Sequence, residues 1–388
     1  MLIRVLSFIL FVRFVRFVVK FLDPVYTKHM KIKACVIGAG TYGEQLIQAF
    51  NSAHKSGEIE LAAIADISQA VLEKMKGLYS FRTYTDYKEM LDREKPDAVA
   101  VVTPDYLHKE ITIEAARRKI HLLVQKPLST VLDEGREMVR VADENNVLLF
   151  VDFHKRFDPA HIQLRQAVKA GKLGEIEYGY VCMEDKILVP SEWFKKWAQH
   201  SSPAWFLGIH FYDLFYWLLG TPPVRVYASG IKKKLLSMGI DTYDSLSAKF
   251  EYKNGASITV DSSWILPNNF SSIVNQQIRL VGTDGLQEVD SQDRGIVACY
   301  ESEPSNMVVN PFGYLLVEKP FAGTVPIGIT IESMLYFLKL VTAIKEGKTS
   351  VRALEGHYPS GREALVSTAM SVAVHESARL GKIIQIDN

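Results

Sequence analysis

The chain is short of several things that would have set its class at once. Cysteine occurs three times in 388 residues, as Cys35, Cys182 and Cys299. There is no C-x-x-C pair and no histidine at ligand spacing, so neither a disulfide framework nor a zinc site holds the protein together. An excess of one charge is missing too: 45 Lys and Arg stand against 44 Asp and Glu. No basic surface points to nucleic acid, and no acidic tail points to a solvating role. The basic run Lys232 to Lys234 lacks the aromatic interleaving that stacks bases. Carboxylates, histidines and cysteines nowhere cluster at metal spacing. These absences predict a metal-free, cytoplasmic protein with reduced thiols and a small-molecule partner.

A clean apolar run is also lacking. The opening "VLSFILFVRFVRFVVKFL" is interrupted by Arg13, Arg16 and Lys20, after Arg4. A membrane-spanning helix needs about 20 apolar residues without such breaks, and a signal peptide needs a small-residue cleavage site. Two readings of residues 1–29 stay open: an extension upstream of a natural start at Met30, or a peripheral amphipathic anchor. Membrane contact is expected only under the second. The chain as a whole is 48% hydrophobic and 23% charged, ordinary for a globular protein with room for two domains.

From Ile32 the order is a short apolar strand "IKACVI", then "GAGTYG", an amphipathic helix "EQLIQAF" and a second strand "ELAAIAD" ending in Asp66. Gly38, Gly40 and Gly43 form G-x-G-x-x-G in the strand–turn–helix setting that the motif requires. The first glycine serves the tight turn, the second lets a pyrophosphate approach the backbone, and the third lets helix pack on strand. The pyrophosphate then sits at the helix N-terminus. A carboxylate at the end of the second strand pairs with the ribose diol and repels a 2′-phosphate, which predicts NAD rather than NADP. The competing reading of Asp66 is a cap on the next helix.

Helices and strands keep alternating to about residue 154, which predicts a doubly wound parallel sheet. Ligands of such sheets bind beyond the carboxyl ends of the strands. Those ends read "TPDYLH" from Thr103 to His108, "QKP" from Gln125 and "DFHKRFDP" from Asp152. Thr41, Tyr42, Thr103, Pro104, His108 and Gln125 are accordingly expected along the cofactor.

The ordered set "VIGAGTYG", "IAD", "TPDYLH", "QKPL", "DFHKRFDPA", "GIHFYDLFYWLLG", "LVGTDG" and "SGREALVSTAMSVAVHESARLGKII" resembles the Gfo/Idh/MocA oxidoreductases from Met30 to the C-terminus. The resemblance implies an α/β protein. A Rossmann domain over residues 30–154 precedes an α+β domain over 155–388, whose open mixed sheet builds the substrate site on one face and an oligomer contact on the other. "EIEYGYVCM", "VRVYASG", "LSAKFEY", "ASITVDSSWI" and "NQQIRLVG" supply the strands. A homodimer or homotetramer is expected.

Within that resemblance Lys126 matches the lysine beside the nicotinamide, a group that polarises the reacting hydroxyl and exchanges its proton. Gln125 departs from the usual glutamate. His210 matches the histidine that acts as base toward the substrate hydroxyl. The orienting aspartate one turn earlier is absent, with Phe206 in its place. Asp213, three residues after His210 on a helix expected between the Ser202 cap and Gly220, is read as structural, with an orienting role still open. His154 and Arg156 are candidate substrate ligands, Arg156 being equally suited to an ion pair between domains. Trp193, Trp197 and Trp264 are suited to stacking on a sugar ring or to core packing.

The expected activity is NAD-dependent oxidation of a secondary hydroxyl on a sugar, glycoside or cyclic polyol. The rivals are an NAD-dependent glycosidase or lyase using transient oxidation, and a non-catalytic nucleotide or sugar sensor.

Overall fold

A computed structural model describes residues 31–386 except 196, 291–294, 303–305 and 321–322. The expected leader, residues 1–29, lies outside the described residues. Six strands form the first sheet: β1 (Ile32–Ile37), β2 (Ile59–Ala65), β3 (Arg82–Tyr84), β4 (Ala98–Val101), β5 (His121–Val124) and β6 (Leu149–Val151). They pair in parallel in the order β3-β2-β1-β4-β5-β6. Helices α1 (Thr41–Lys55), α2 (Gln69–Leu78), α3 (Tyr87–Glu94), α4 (His108–Arg117) and α5 (Leu132–Glu144) connect them. The central strands are near-continuous runs of Val, Ala and Ile because both faces of the sheet are covered. The order reverses between β1 and β4, which opens a crevice at their carboxyl ends.

After helix α6 (Pro159–Lys169) comes the second sheet. It uses β7 (Ile176–Lys186), β8 (Arg225–Ile231), β9 (Ser245–Glu251), β10 (Ser257–Leu266), β11 (Val274–Gly282) and β12 (Gly285–Asp290), with helix α7 (Ile209–Leu219) between β7 and β8. Two ribbons follow, β13 (Ile296–Ala298) with β14 (Met307–Val309) and β15 (Leu315–Lys319) with β16 (Gly323–Ile327). Helices α8 (Ile329–Lys345) and α9 (Gly361–Leu380) and the short strand β17 (Ile384–Gln385) close the chain. The sheet order is β12-β11-β7-β10-β9-β8-β17, with β7 and β10 parallel in an otherwise antiparallel set. Strict alternation along β8 to β10 buries Val226, Ala228, Leu246, Ala248, Phe250, Ile258 and Val260 against α7 and α9. The other face leaves Tyr178, Tyr180 and Tyr227 exposed.

One helix beyond residue 154 packs across the expected boundary. Helix α8 returns to the first sheet, burying Ile331, Met334, Phe337, Leu338 and Val341 in the core that also holds Ile32, Val36 and Phe150. Those residues recur at helical spacing and form one apolar face, which only the nucleotide-side sheet is placed to cover.

Candidate active site

The glycine turn shows which of its three positions the protein needs for itself. A Cβ on Gly38 (φ +95°) would lie 2.2 Å from the Val102 carbonyl oxygen, and one on Gly43 would lie 2.4 Å from that of Gly38. A Cβ on Gly40 would meet nothing within 4 Å. Chain packing therefore accounts for the first and third glycines, whereas the space over the second is open, as a pyrophosphate requires. No side chain caps α1 at Gly40, so the first-turn N–H groups remain available to an anion.

Asp66 accepts the Ala39 N–H through Oδ2 and the Ser68 N–H through Oδ1, both at 2.8 Å. It ties the glycine turn to the end of β2, and each oxygen retains a lone pair for a diol. The cap of α2 is Ser68, whose hydroxyl accepts the Val71 N–H, so the capping reading of Asp66 falls away. Thr103 lies at the end of β4 with its hydroxyl buried and unpartnered among the described residues, beside exposed Pro104. His108 requires correction as a cofactor contact. It is fully buried, with Nδ1 2.9 Å from the Pro127 carbonyl and Nε2 3.0 Å from that of Thr103. Both ring nitrogens face backbone oxygens, so His108 supports the two strand-end turns from below.

Asp152, just past β6 and missed as a site residue, is a buried hydrogen-bonding hub at the carboxyl end of the first sheet. It is fully buried and accepts from Ser333 Oγ at 2.6 Å, Gln125 Nε2 at 2.5 Å and Tyr42 Oη at 3.2 Å. The glutamine at position 125 now has a reason. A glutamate there would set two carboxylates against each other unless one kept a proton, whereas an amide can donate.

Lys126 leaves the end of β5 and points its amine toward the second domain. Nζ donates to the Phe206 carbonyl at 2.8 Å and lies 4.2 Å from the centroid of the Phe206 ring. Burial lowers its pKa to about 8, although Asp105, Asp185 and Asp152 pull the other way. The expected helix from Ser202 to Gly220 is present in two parts. Ser202 accepts the Trp205 N–H at 3.2 Å as a cap. Residues Ala204–Gly208 then form a wider turn in which the Ile209 N–H reaches back to Ala204, and α7 proper follows. Such i→i+5 turns offset the backbone from a regular helix and recur at functional sites. Gly208 permits this one, since a Cβ there would lie 2.7 Å from the Tyr212 hydroxyl.

One residue into α7 is His210, buried, with its ring 4.8 Å from that of His154 at an interplanar angle of 58°. Nδ1 of each is buried without a partner among the described residues. Burial holds both imidazoles well below their usual range, and Lys126 and Lys155 reinforce the effect, so both are neutral at pH 7. Asp185, on the inward-facing series Val181, Met183, Asp185 of β7, is also buried. Burial pushes its carboxyl up to about 7 against the pull of Lys126 and Lys155. A polar side chain in that inward series was the available signal for it.

Arg156 is drawn away from substrate. Nε and Nη2 donate to Asp213 at 2.8 and 2.6 Å, and Nη1 donates to Glu363 at 2.6 Å. All three of its nitrogens are engaged, which is the ion pair between elements that was its other expected role. Asp213 is correspondingly occupied away from His210. Trp193 is half exposed, Trp264 is buried, and Trp197 packs on Phe206 at 5.6 Å. Among the described residues no group of three or more His, Cys, Asp or Glu could hold a metal ion, and no helix is long and apolar enough to cross a membrane.

Comparison with known proteins accords with this geometry. The profile of an oxidoreductase family with an NAD-binding Rossmann fold matches residues 32–153, and that of the GFO/IDH/MocA C-terminal domain matches residues 161–287. The D-glucoside 3-dehydrogenase of Escherichia coli K12 is 28% identical over 262 residues, 63% of this chain and 73% of that protein. The inositol 2-dehydrogenase of Rhizobium meliloti is 26% identical over 270 residues, 68% of this chain and 77% of its own length. The crystal structure of myo-inositol 2-dehydrogenase from Lactobacillus plantarum superimposes with a TM-score of 0.73 at 22% identity, covering 92% of this chain and all of that one. At that identity the likeness speaks for the fold.

Proposed function

The chain belongs to the Gfo/Idh/MocA family of NAD-dependent oxidoreductases, and from that premise we propose that it oxidises a secondary hydroxyl of a sugar, glycoside or cyclic polyol at Lys126. One observation carries the proposal: the partly buried Lys126, whose desolvated amine has a pKa of about 8, stands at the carboxyl end of β5 within electrostatic reach of two neutral imidazoles. Bound NAD⁺ supplies the hydride acceptor, and the residues of the glycine turn and Asp66 fit it as described. The overall change is CH–OH plus NAD⁺ to C=O, NADH and one proton.

The proton of the hydroxyl goes to the stronger available base. An imidazole held well below 6.5 takes a proton poorly at pH 7, whereas a lysine near 8 is matched to the task once deprotonated. Lys126 therefore exchanges the proton, and His210 and His154 orient the oxygen through neutral ring nitrogens. This reassigns the general-base role expected of His210. The test is NADH formation at 340 nm across sugars, glycosides and inositols. Lys126→Met should keep NAD binding and lower turnover by about 10² or more; turnover within a few-fold of wild type would refute the mechanism. The same measurement separates the rival with transient oxidation, which yields product without net NADH.

The exposed tyrosines of the second sheet, Tyr178, Tyr180 and Tyr227, support a homo-oligomer formed through that face. A monomer in sedimentation analysis would remove that part of the reading.

A further inference from the structure

Lys126 has two unlike neighbourhoods. One set is polar: His154, His210 and Asp185, all of which feel its charge. The other is aromatic: the Phe206 ring lies 4.2 Å from Nζ and belongs to a cluster with Phe194 at 5.5 Å, Trp197 at 5.6 Å and Trp264 at 5.6 Å, and Trp264 in turn reaches Asp185. Trp264 is buried and forms the floor. Phe194, Trp197 and Phe206 each keep part of their surface open, and Trp193 on the same segment is 52% exposed. Aromatic side chains whose task is packing behave differently here: Phe211, Tyr212 and Phe215 of α7 are all buried to within 1%. Phe194, Trp197 and Phe206 are thus partly open rings in mutual contact, and one of them touches the reacting amine.

The geometry points to an aromatic subsite beside Lys126, and to a substrate that is a pyranoside with a hydrophobic aglycone rather than a free cyclic polyol. This rests on the dehydrogenase reading above. A ring carrying a hydroxyl on every carbon must turn at least one O–H toward the rings of Phe206, Phe194 and Trp197, whose faces offer no strong acceptor to replace the lost water. An aryl or alkyl aglycone, by contrast, buries apolar area there and stacks on the ring faces. The sugar's hydroxyls then fall to the imidazoles, Lys126 and Asp185.

The experiment uses the full chain with NAD and pairs of phenyl and methyl gluco-, galacto- and mannopyranosides, with myo-inositol as the polyol. For the best sugar the phenyl glycoside should exceed the methyl glycoside, and myo-inositol, by about ten- to a hundred-fold in kcat/KM. Trp197→Ala and Phe194→Ala should collapse the phenyl-to-methyl ratio toward one, through KM. Equal values for phenyl and methyl glycosides in the wild type, or a preference for myo-inositol, overturn the subsite. If none of these compounds yields NADH, the dehydrogenase reading falls instead. Calorimetry on NAD-loaded protein then decides the subsite alone: phenyl glycosides binding no tighter than methyl ones overturn it, and tighter binding that Trp197→Ala abolishes upholds it.

Discussion

Replacing Asp213 with asparagine separates structure from chemistry on a single helix. Asp213 on α7 holds Arg156, just beyond β6, in a two-pronged contact at 2.8 and 2.6 Å, and both side chains are at least nine-tenths buried. Against the cost of burial, Asp213 and Glu363 hold the guanidinium charged and raise its pKa. Removing one partner of a buried pair costs ~3–5 kcal/mol because the other charge is stranded. Here Glu363 remains at 2.6 Å, and the asparagine oxygen still accepts one bond, so ~2–3 kcal/mol is expected. At 2–4 °C per kcal/mol for units of this size, the melting temperature should fall by about 5–10 °C. Turnover measured well below the transition should stay within a few-fold of wild type. His210→Asn should do the reverse. The assay is scanning calorimetry beside steady-state NADH formation for both single variants and the double. If Asp213→Asn lowered turnover as much as His210→Asn with an unchanged transition, and the double variant were no worse than either, Asp213 would be orienting the imidazole and the anchoring argument would fail.

Other consequences are more direct. Asp66→Ala should narrow the preference for NAD over NADP, because the carboxylate bound by the Ala39 and Ser68 amides is the group that repels a 2′-phosphate; calorimetric titration showing equal affinities in the wild type would remove the claim. Gly40→Val should abolish NAD binding without lowering the melting temperature, since its Cβ meets no protein atom within 4 Å; retained binding would place the pyrophosphate elsewhere. In the wild type, kcat/KM for oxidation should rise with pH through about 8, as Lys126 loses its proton; a decline over that range would make the ammonium form the active one.

Local chemistry made much of this legible in the sequence. Alternating apolar strands and helices, with G-x-G-x-x-G opening α1, led to the parallel sheet because both its faces are covered. The five strands expected in the second domain are all present as β7 to β11. What escaped depends on contacts distant in sequence. Nothing local to Ile331, Met334 and Phe337 says which of two sheets their helix covers. His108 occupies a strand end, where ligands belong, yet faces the backbone of Pro127, nineteen residues on. Asp152 becomes a hub only when Tyr42, Gln125 and Ser333 arrive from three different elements. Arg156 suited two partners until Asp213 and Glu363 were seen to surround it.

Two departures from the family pattern bear on one amine. The resemblance places carboxylates at positions 125 and 206, and this chain has Gln125 and Phe206. Each change removes a negative charge from the neighbourhood of Lys126, leaving a backbone carbonyl and a ring face as its nearest partners. Carboxylates stabilise an ammonium, and desolvation destabilises it. With Asp105, Asp152 and Asp185 acting only as counterweights, burial prevails and the amine sits at about 8. Restoring one charge should reverse the balance. Phe206→Asp should raise the pKa of Lys126 by about one unit or more, as an opposite charge within a few ångströms does, and so carry the midpoint of the pH–rate profile upward by the same amount. A raised lysine pKa leaves more ammonium at pH 7, so oxidation there should slow relative to the variant's own plateau at high pH. The kcat/KM profile of Phe206→Asp against wild type, with NADH formation as the readout, tests this. An unmoved midpoint would mean that Lys126 does not set the pH dependence, and that the proton leaves the substrate by another route.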